Sequence, residues 1–220
     1  MISVAIDGPA GAGKSTLARK AAAELGFIYV DTGALYRTVG LKFSKMGADT
    51  ELNCDIAAVL DKTTVDIRFV NGEQRVFLDG EDVSEEIRTP IASMMASAVS
   101  AKGEVRAFLL DMQRKLAREN DVLMDGRDIG TVVLPNATVK IFLTASAEER
   151  ARRRYDELIG KGMNVTFEEV YDDMVKRDYN DSHREIAPLK QADDAVLADT
   201  TGLEPVESLA LILKIVRDRI

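Results

Sequence analysis

One short segment constrains this chain more than any other. Gly8-Pro-Ala-Gly-Ala-Gly13-Lys14-Ser15 fits the pattern G-x-x-x-x-G-K-[ST] without a gap. The stretch before it, Ile2 to Ile6, is apolar and β-branched, as a buried strand requires. The stretch after it, Ser15 to Leu25, reads as a helix that stops at Gly26. Glycines let such a loop curl so that successive N–H groups point inward at a phosphate chain, and the following helix adds its positive end. Gly8, Pro9, Ala10, Gly11, Ala12, Gly13, Lys14, Ser15 and Thr16 therefore read as a nucleotide-phosphate cradle. Lys14, on an exposed loop, would set an ammonium on the outer phosphates of ATP, and the Ser15 hydroxyl would ligate Mg²⁺. The bland alternative is a Gly-rich turn that binds nothing. The strand and helix on either side argue against it.

The 220 residues suit one large α/β domain, or one domain plus an insert. A hydrophobic share of 46% is ample for a packed core. No apolar run approaches the ~20 residues needed to cross a bilayer, and no basic-then-apolar leader opens the chain, so a cytoplasmic protein without a membrane partner is expected. The single cysteine, Cys54, excludes an internal disulfide and reads as a small, partly buried hydrophobe. His183 is the only histidine, which nearly excludes histidine acid–base schemes. A net charge of −8 argues against binding a nucleic-acid polymer. A phosphate-binding protein this acidic must gather its cations locally. Arg150, Arg152, Arg153 and Arg154 do fall together, and Arg127, Arg177 and Arg184 lie in motif-like settings.

Strand and helix signals alternate, as in a parallel sheet with helices on both faces. Five core strands are expected at Ile2–Asp7, Phe27–Val30, Val122–Asp125, Val139–Thr144 and Ala195–Asp199. Helices are expected near 34–46 and 104–118, after Thr89-Pro90, and from Pro205 to about Arg219. Val65, Ile67 and Phe69 instead alternate with polar residues, Asn71-Gly72 is a hairpin signal, and Val76 and Leu78 resume the alternation before Asp79-Gly80. This predicts a β-rich insert over 63–96, within a core of 1–62 and 97–220. Ser146–Glu149 and Thr166–Glu169 read as capping boxes that open two helices. The first helix carries the arginine cluster, and a lid is expected over about 150–165, with a hinge at Gly160–Asn164. No exposed apolar stripe stands out, and a monomer is expected.

A phosphate-binding loop does not name a reaction, so later segments must discriminate. No N-K-x-D motif is present, which weighs against a GTPase. Asp31-Thr32-Gly33-Ala34-Leu35-Tyr36-Arg37 follows the second strand, and ligands in a doubly wound sheet sit beyond the strands' carboxyl ends. The strand Val122–Asp125 ends in a carboxylate suited to organise Mg²⁺, with Arg127 and Asp128 beyond it. Arg177, Asp181 and Arg184 stand at i, i+4 and i+7, on one face of a helix. Alone, that stripe would read as a solvated surface. Beside the other motifs it reads as part of a site.

Together, Asp7–Ser15, Asp31–Arg37, Asp125–Val133 and Arg177–Leu189 resemble, almost from end to end, the bacterial cytidylate kinase family. The resemblance implies transfer of the γ-phosphoryl of ATP to CMP or dCMP, with the insert as the monophosphate-binding part. It implies that Arg37, Arg127 and Arg184 hold the acceptor phosphate, with Thr32 and Tyr36 beside it. Arg177 and Asp181 would face the sugar, and Ser97, Arg106 and Asp128 would read cytosine. Lys14, Arg127 and Arg184, with Arg153 or Arg154 from the lid, would act on the transferred phosphoryl; Arg150 is a further lid candidate. Metal ligation falls to Ser15 and, directly or through water, Asp125. Two readings compete. A shikimate-type or adenylate-type kinase leaves the pair Arg106 and Asp128 without a purpose. A nucleotide-dependent switch leaves the whole arginine set unexplained.

Overall fold

The computed structural model describes residues 1–71 and 73–220. In chain order the elements are β1 (Ser3–Asp7), α1 (Lys14–Leu25), β2 (Ile28–Asp31), α2 (Thr32–Lys45), α3 (Ile56–Leu60), β3 (Val65–Val70), β4 (Glu73–Leu78), β5 (Glu81–Asp82), α4 (Pro90–Ser100), α5 (Gly103–Glu119), β6 (Val122–Gly126), β7 (Val139–Thr144), α6 (Ala147–Gly160), α7 (Phe167–His183), β8 (Val196–Asp199) and α8 (Pro205–Arg217). Five strands form a parallel sheet in the order β2-β6-β1-β7-β8. A separate antiparallel sheet joins β3, β4 and β5. This is the α/β fold expected from the alternating pattern, with an antiparallel piece between its second and third core strands.

Parallel strands buried on both faces need continuous apolar runs, and Val4, Ala5 and Ile6 are fully buried. On one face Val4, Ile6, Leu123, Ile141 and Leu143 pack with Leu17 and Ala21 of α1 and Ile212 and Val216 of α8. On the other, Ala5, Val30 and Met124 pack with Ile129 and Val133. Burying each such aliphatic side chain is worth about 1.5–3 kcal/mol. A third cluster joins Leu35, Val39 and Phe43 of α2 to Val76 and Leu78 of β4, Met95 and Val99 of α4, and Val105 and Leu109 of α5. The insert thus shares its core with helices on either side of it. Among the described residues, no helix is long and apolar enough to cross a membrane.

Several local expectations are corrected. Cys54 is exposed, because it lies in the loop before α3, a short helix whose weak periodicity gave no signal. The Ser146 box is only half formed: Ser146 Oγ accepts from the Glu149 N–H at 3.2 Å, but the Glu149 carboxylate accepts from the Gly202 N–H and pairs with Arg153. The Thr166–Glu169 box is complete. α7 ends at His183 and Arg184 is extended (φ −63°, ψ 143°), so Arg184 does not share a helical face with Arg177 and Asp181. The hairpin at 71–72 pairs Val70 with Glu73 in antiparallel register; Gly72 itself lies outside the described residues.

Candidate active site

The sheet register brings the chemistry to one edge. Ile6 of β1 lies opposite Asp125 of β6, and Asp125 lies opposite Asp31 of β2. The strand ends therefore present Asp7, Asp125 and Asp31 in a row, at the place where open α/β sheets bind ligands. The phosphate-type loop leaves β1 there. Gly8 has φ 151°, and a Cβ at Gly8 would lie 1.9 Å from the Leu143 carbonyl oxygen of β7. Backbone cannot yield to that contact. Gly8→Ala should therefore lower the unfolding midpoint and abolish turnover; a variant that melts and turns over like the parent would contradict this.

Lys14 opens α1 but is buried, at 5% exposure, and not on an exposed loop as expected. The loop folds over its side chain, and Nζ donates to the Pro9 carbonyl at 2.6 Å. Burial, followed by the neighbouring Arg127, presses its pKa well below the usual lysine range. Ser15 Oγ donates to Asp125 Oδ2 at 2.9 Å and Tyr29 OH to Oδ1 at 2.8 Å. Burial pushes Asp125 up to about 6, with Asp31 adding to the rise. Thr32 Oγ1 donates to the Asp125 carbonyl at 2.7 Å. Ser15 and Thr16 are exposed beside the loop.

Asp7 ties the two halves of the site together. Its carboxylate accepts from the N–H groups of Ile129 and Gly130, each at 2.7 Å. It thereby holds the π-type turn Ile129–Val133, which follows Arg127 and Asp128 directly. Burial lifts its pKa from 3.8 to about 6, and Asp128 adds to the rise, while the two N–H groups and Lys14 oppose it. Between about pH 6 and 4 the folded protein keeps a proton that the unfolded chain releases. The ionised carboxylate therefore works against folding above about pH 6, and this penalty fades as pH falls toward 4. Relative to Asp7→Asn, which does not titrate, the parent should gain up to roughly 3 kcal/mol on acidification through this window. Urea midpoints for both proteins at pH 7 and 4.5 measure it; a flat or opposite difference would contradict the shift.

Beyond β6, Arg106, Asp128, Arg184 and Tyr36 meet. An Arg106 nitrogen of α5 pairs directly with Asp128 Oδ2, and the Arg106 guanidinium lies 5.5 Å from the Tyr36 ring centroid. Arg184 Nη2 stands 3.6 Å from Asp128 Oδ1 and, among the described residues, has no hydrogen-bond partner. Burial, chiefly, lowers its pKa, against the pull of Asp128. Arg127 Nε donates to Asp181 Oδ2 at 2.8 Å. Arg177, half-buried on the same helix as Asp181, has a pKa lowered by burial and by Arg127. Arg37 of α2 pairs with Asp31 at 2.8 Å. Ser97 is half-buried on α4, and its carbonyl accepts from Ser100 Oγ at 2.9 Å.

The arginines of α6 separate. Arg150 is buried and spent: its guanidinium donates to the carbonyls of Ala145 (2.9 Å) and Ala10 (2.8 Å) and pairs with Asp178 of α7 (2.7 Å). It braces the loop and cannot serve as a mobile phosphate ligand in this arrangement. Arg153 donates to the Thr200 carbonyl at 3.1 Å and lies 4.0 Å from where a Cβ on Gly13 would stand. Arg154 pairs with Glu157 at 2.7 Å. It lines a cleft of about 320 Å³ between α6 and the insert, with Arg37, Arg19 and Gln74 also on its walls. Sequence reasoning gave Asp7 and Asp31 no role beyond their motifs and did not single out Tyr29 or Gln74, all four of which the fold brings beside these residues. Only Asp7 and Asp31 carried a signal, as acidic residues at strand ends.

The profile of the family described as cytidylate kinase matches residues 4–218. A cytidylate kinase of Caldicellulosiruptor bescii is 53% identical over 97% of this chain and 95% of its own. One from Carboxydothermus hydrogenoformans is 52% identical over 97% and 96%. One from Geobacter sulfurreducens is 50% identical over 98% and 93%. The solved structure of an uncharacterized protein from Eubacterium ventriosum matches over the full length of both chains, with a TM-score of 0.55 at 12% identity, a likeness of fold alone. Matched nearly end to end by the profile and identical at about half its positions to these relatives, the chain belongs to the cytidylate kinase family.

Proposed function

We propose that this kinase transfers the γ-phosphoryl of ATP to CMP and dCMP, giving ADP and the corresponding diphosphate. The observation that carries the reading is the buried cluster of Arg106, Asp128 and Arg184 beyond β6, next to the Gly8–Ser15 loop. Cytosine offers acceptors at O2 and N3 and a donor at its amino group. Arg106 serves the acceptors, while Asp128 and Ser97 take the amino hydrogens. Uracil would aim a carbonyl at Asp128 and present N3–H to Arg106, and each mismatch costs about 1–3 kcal/mol.

The acceptor is a phosphate oxygen, already anionic, so no general base is required. The enzyme's task is to hold two polyanions in line and neutralise their repulsion. Arg37, Arg127 and Arg184 grip the acceptor phosphate with planar, bidentate guanidinium groups, with Thr32 and Tyr36 flanking it. Arg177 and Asp181 face the sugar. The N–H groups of the loop cradle the phosphates of ATP, and Lys14 exchanges the Pro9 carbonyl for the outer phosphates. Each of Arg37, Arg106, Arg127, Arg153 and Arg154 already faces a carboxylate. Substrate phosphate replaces some of those carboxylates, which otherwise offset the concentrated positive charge of the arginines. The lid over about 150–165, moving at Gly160–Asn164, brings Arg153 or Arg154 to the transferred phosphoryl and excludes water.

The donor set suits Mg²⁺. Ser15 Oγ and Asp125 Oδ2 are hard oxygens 2.9 Å apart. Mg²⁺ is commonly held by one or two protein oxygens together with water and phosphates. Ser15 and Asp125 would hold it here, and it would supply neutralisation of phosphate charge. ADP release with CMP, dCMP, UMP, AMP, GMP and shikimate as acceptors tests the reading. Turnover should be confined largely to CMP and dCMP; preference for UMP or AMP would reject the base-reading assignment.

A further inference from the structure

One side chain of the insert, Gln74, hydrogen-bonds the backbone at the end of β2 in the parallel sheet. On β4, Gln74, Val76 and Leu78 share a face, since side chains alternate along a strand. Val76 and Leu78 are buried in the third cluster. An apolar residue would continue that face, yet position 74 is glutamine. Its side chain spans to the end of β2. Gln74 Oε1 accepts from the Asp31 N–H at 2.9 Å, and Nε2 donates to the Asp31 carbonyl at 3.3 Å. β2 is an edge strand of the parallel sheet, paired only with β6. Its outer N–H and C=O need partners, and the primary amide of Gln74 answers both, as a neighbouring strand's peptide would.

Asp31 is where this clasp matters. One of its oxygens caps α2 by accepting from the Ala34 N–H at 2.9 Å, and the other holds Arg37 at 2.8 Å. A single residue thus fixes the start of α2 and the guanidinium assigned to the acceptor phosphate. We propose that Gln74 is a positioning residue. Through its two-point hold on the Asp31 backbone, it makes the placement of Arg37, and so acceptor-phosphate binding, depend on the seating of the β-rich insert. This rests on the reading of Arg37 as a ligand of the acceptor phosphate. It gives the insert a mechanical role in acceptor binding beyond covering the cleft.

A double-mutant cycle tests the proposal on the full-length enzyme, with KM for CMP, KM for ATP and kcat measured for each variant. Gln74→Ala should raise KM for CMP roughly tenfold, the worth of one or two hydrogen bonds, with KM for ATP and kcat nearly unchanged. Gln74→Glu keeps an acceptor but loses the donor and adds charge beside Asp31, so its effect should be at least as large. Arg37→Ala should raise KM for CMP by itself, and adding Gln74→Ala to it should change little further, because both act through one guanidinium. An unchanged KM for CMP in Gln74→Ala, or effects that simply add, would overturn the proposal while leaving the proposed function standing. An unchanged KM in Arg37→Ala would remove Arg37 from the acceptor site, and the role of Gln74 would fall with it.

Discussion

Lys14→Ala should lose about 10²–10³-fold in kcat, the scale on which a single preorganised charge-stabilising donor acts, and should still fold. The lysine is buried under the loop, where its Nζ donates to the Pro9 carbonyl, and the proposed function has it exchange that carbonyl for the outer phosphates. Its stability effect has the opposite sign to its catalytic effect. Burial holds the Lys14 pKa far below its unfolded value. Between its folded and unfolded pKa values the folded protein binds fewer protons than the unfolded chain, and the buried charge works against folding. Its contribution improves as pH rises and worsens as pH falls. Removing the ammonium should leave the urea midpoint at pH 7.5 equal to or above the parent's. Undiminished turnover by Lys14→Ala would refute the phosphate role. A collapse of the midpoint would refute the account of its burial.

Asp128→Asn should have the second large effect, on both selectivity and stability. Asp128 is buried between Arg106 and Arg184. Asparagine keeps the shape and removes the negative charge that lies against both guanidinium groups. Breaking a buried pair by removing one partner costs about 3–5 kcal/mol. The amide can also turn its NH₂ toward the base, which no longer penalises the uracil carbonyl. The ratio of kcat/KM for CMP over UMP should fall by about ten- to a hundredfold, the equivalent of one unmet polar group. Chemical denaturation and the two kinetic ratios measure both effects. A preserved ratio would move base reading away from Asp128.

Much of this was legible in the residues, and the exceptions have physical causes. β-branched apolar runs fixed the five parallel strands, because a strand covered on both faces has no room for polar side chains. The loop at Gly8–Ser15 was legible because phosphate binding demands glycines where the backbone turns sharply. Arg127 and Asp128 stood out as charges placed directly after a buried strand. Polar groups that act through a distant backbone were not legible in that role. Asp7 stood out only as an acidic residue at a strand end, and nothing there says that it accepts from Ile129 and Gly130, far along the chain. Gln74, which clasps Asp31, has neither a periodicity nor a local pattern. Arg150 shows the converse: it lies in a cluster of arginines on one helix, yet the fold buries it and spends its donors on Ala10, Ala145 and Asp178. Arg184 was placed on a helical face by spacing alone, and the helix ends one residue before it.

The central claim is that two nucleotides lie with phosphates facing across the loop and the arginine set. A compound joining adenosine and cytidine through a polyphosphate chain of matched length measures this directly, by titration calorimetry with ATP and CMP as competitors. The account predicts binding far tighter than either nucleotide alone, displacement by both, and a marked loss of affinity in Lys14→Ala. Affinity no better than that of ATP, or displacement by only one of the two, would contradict it.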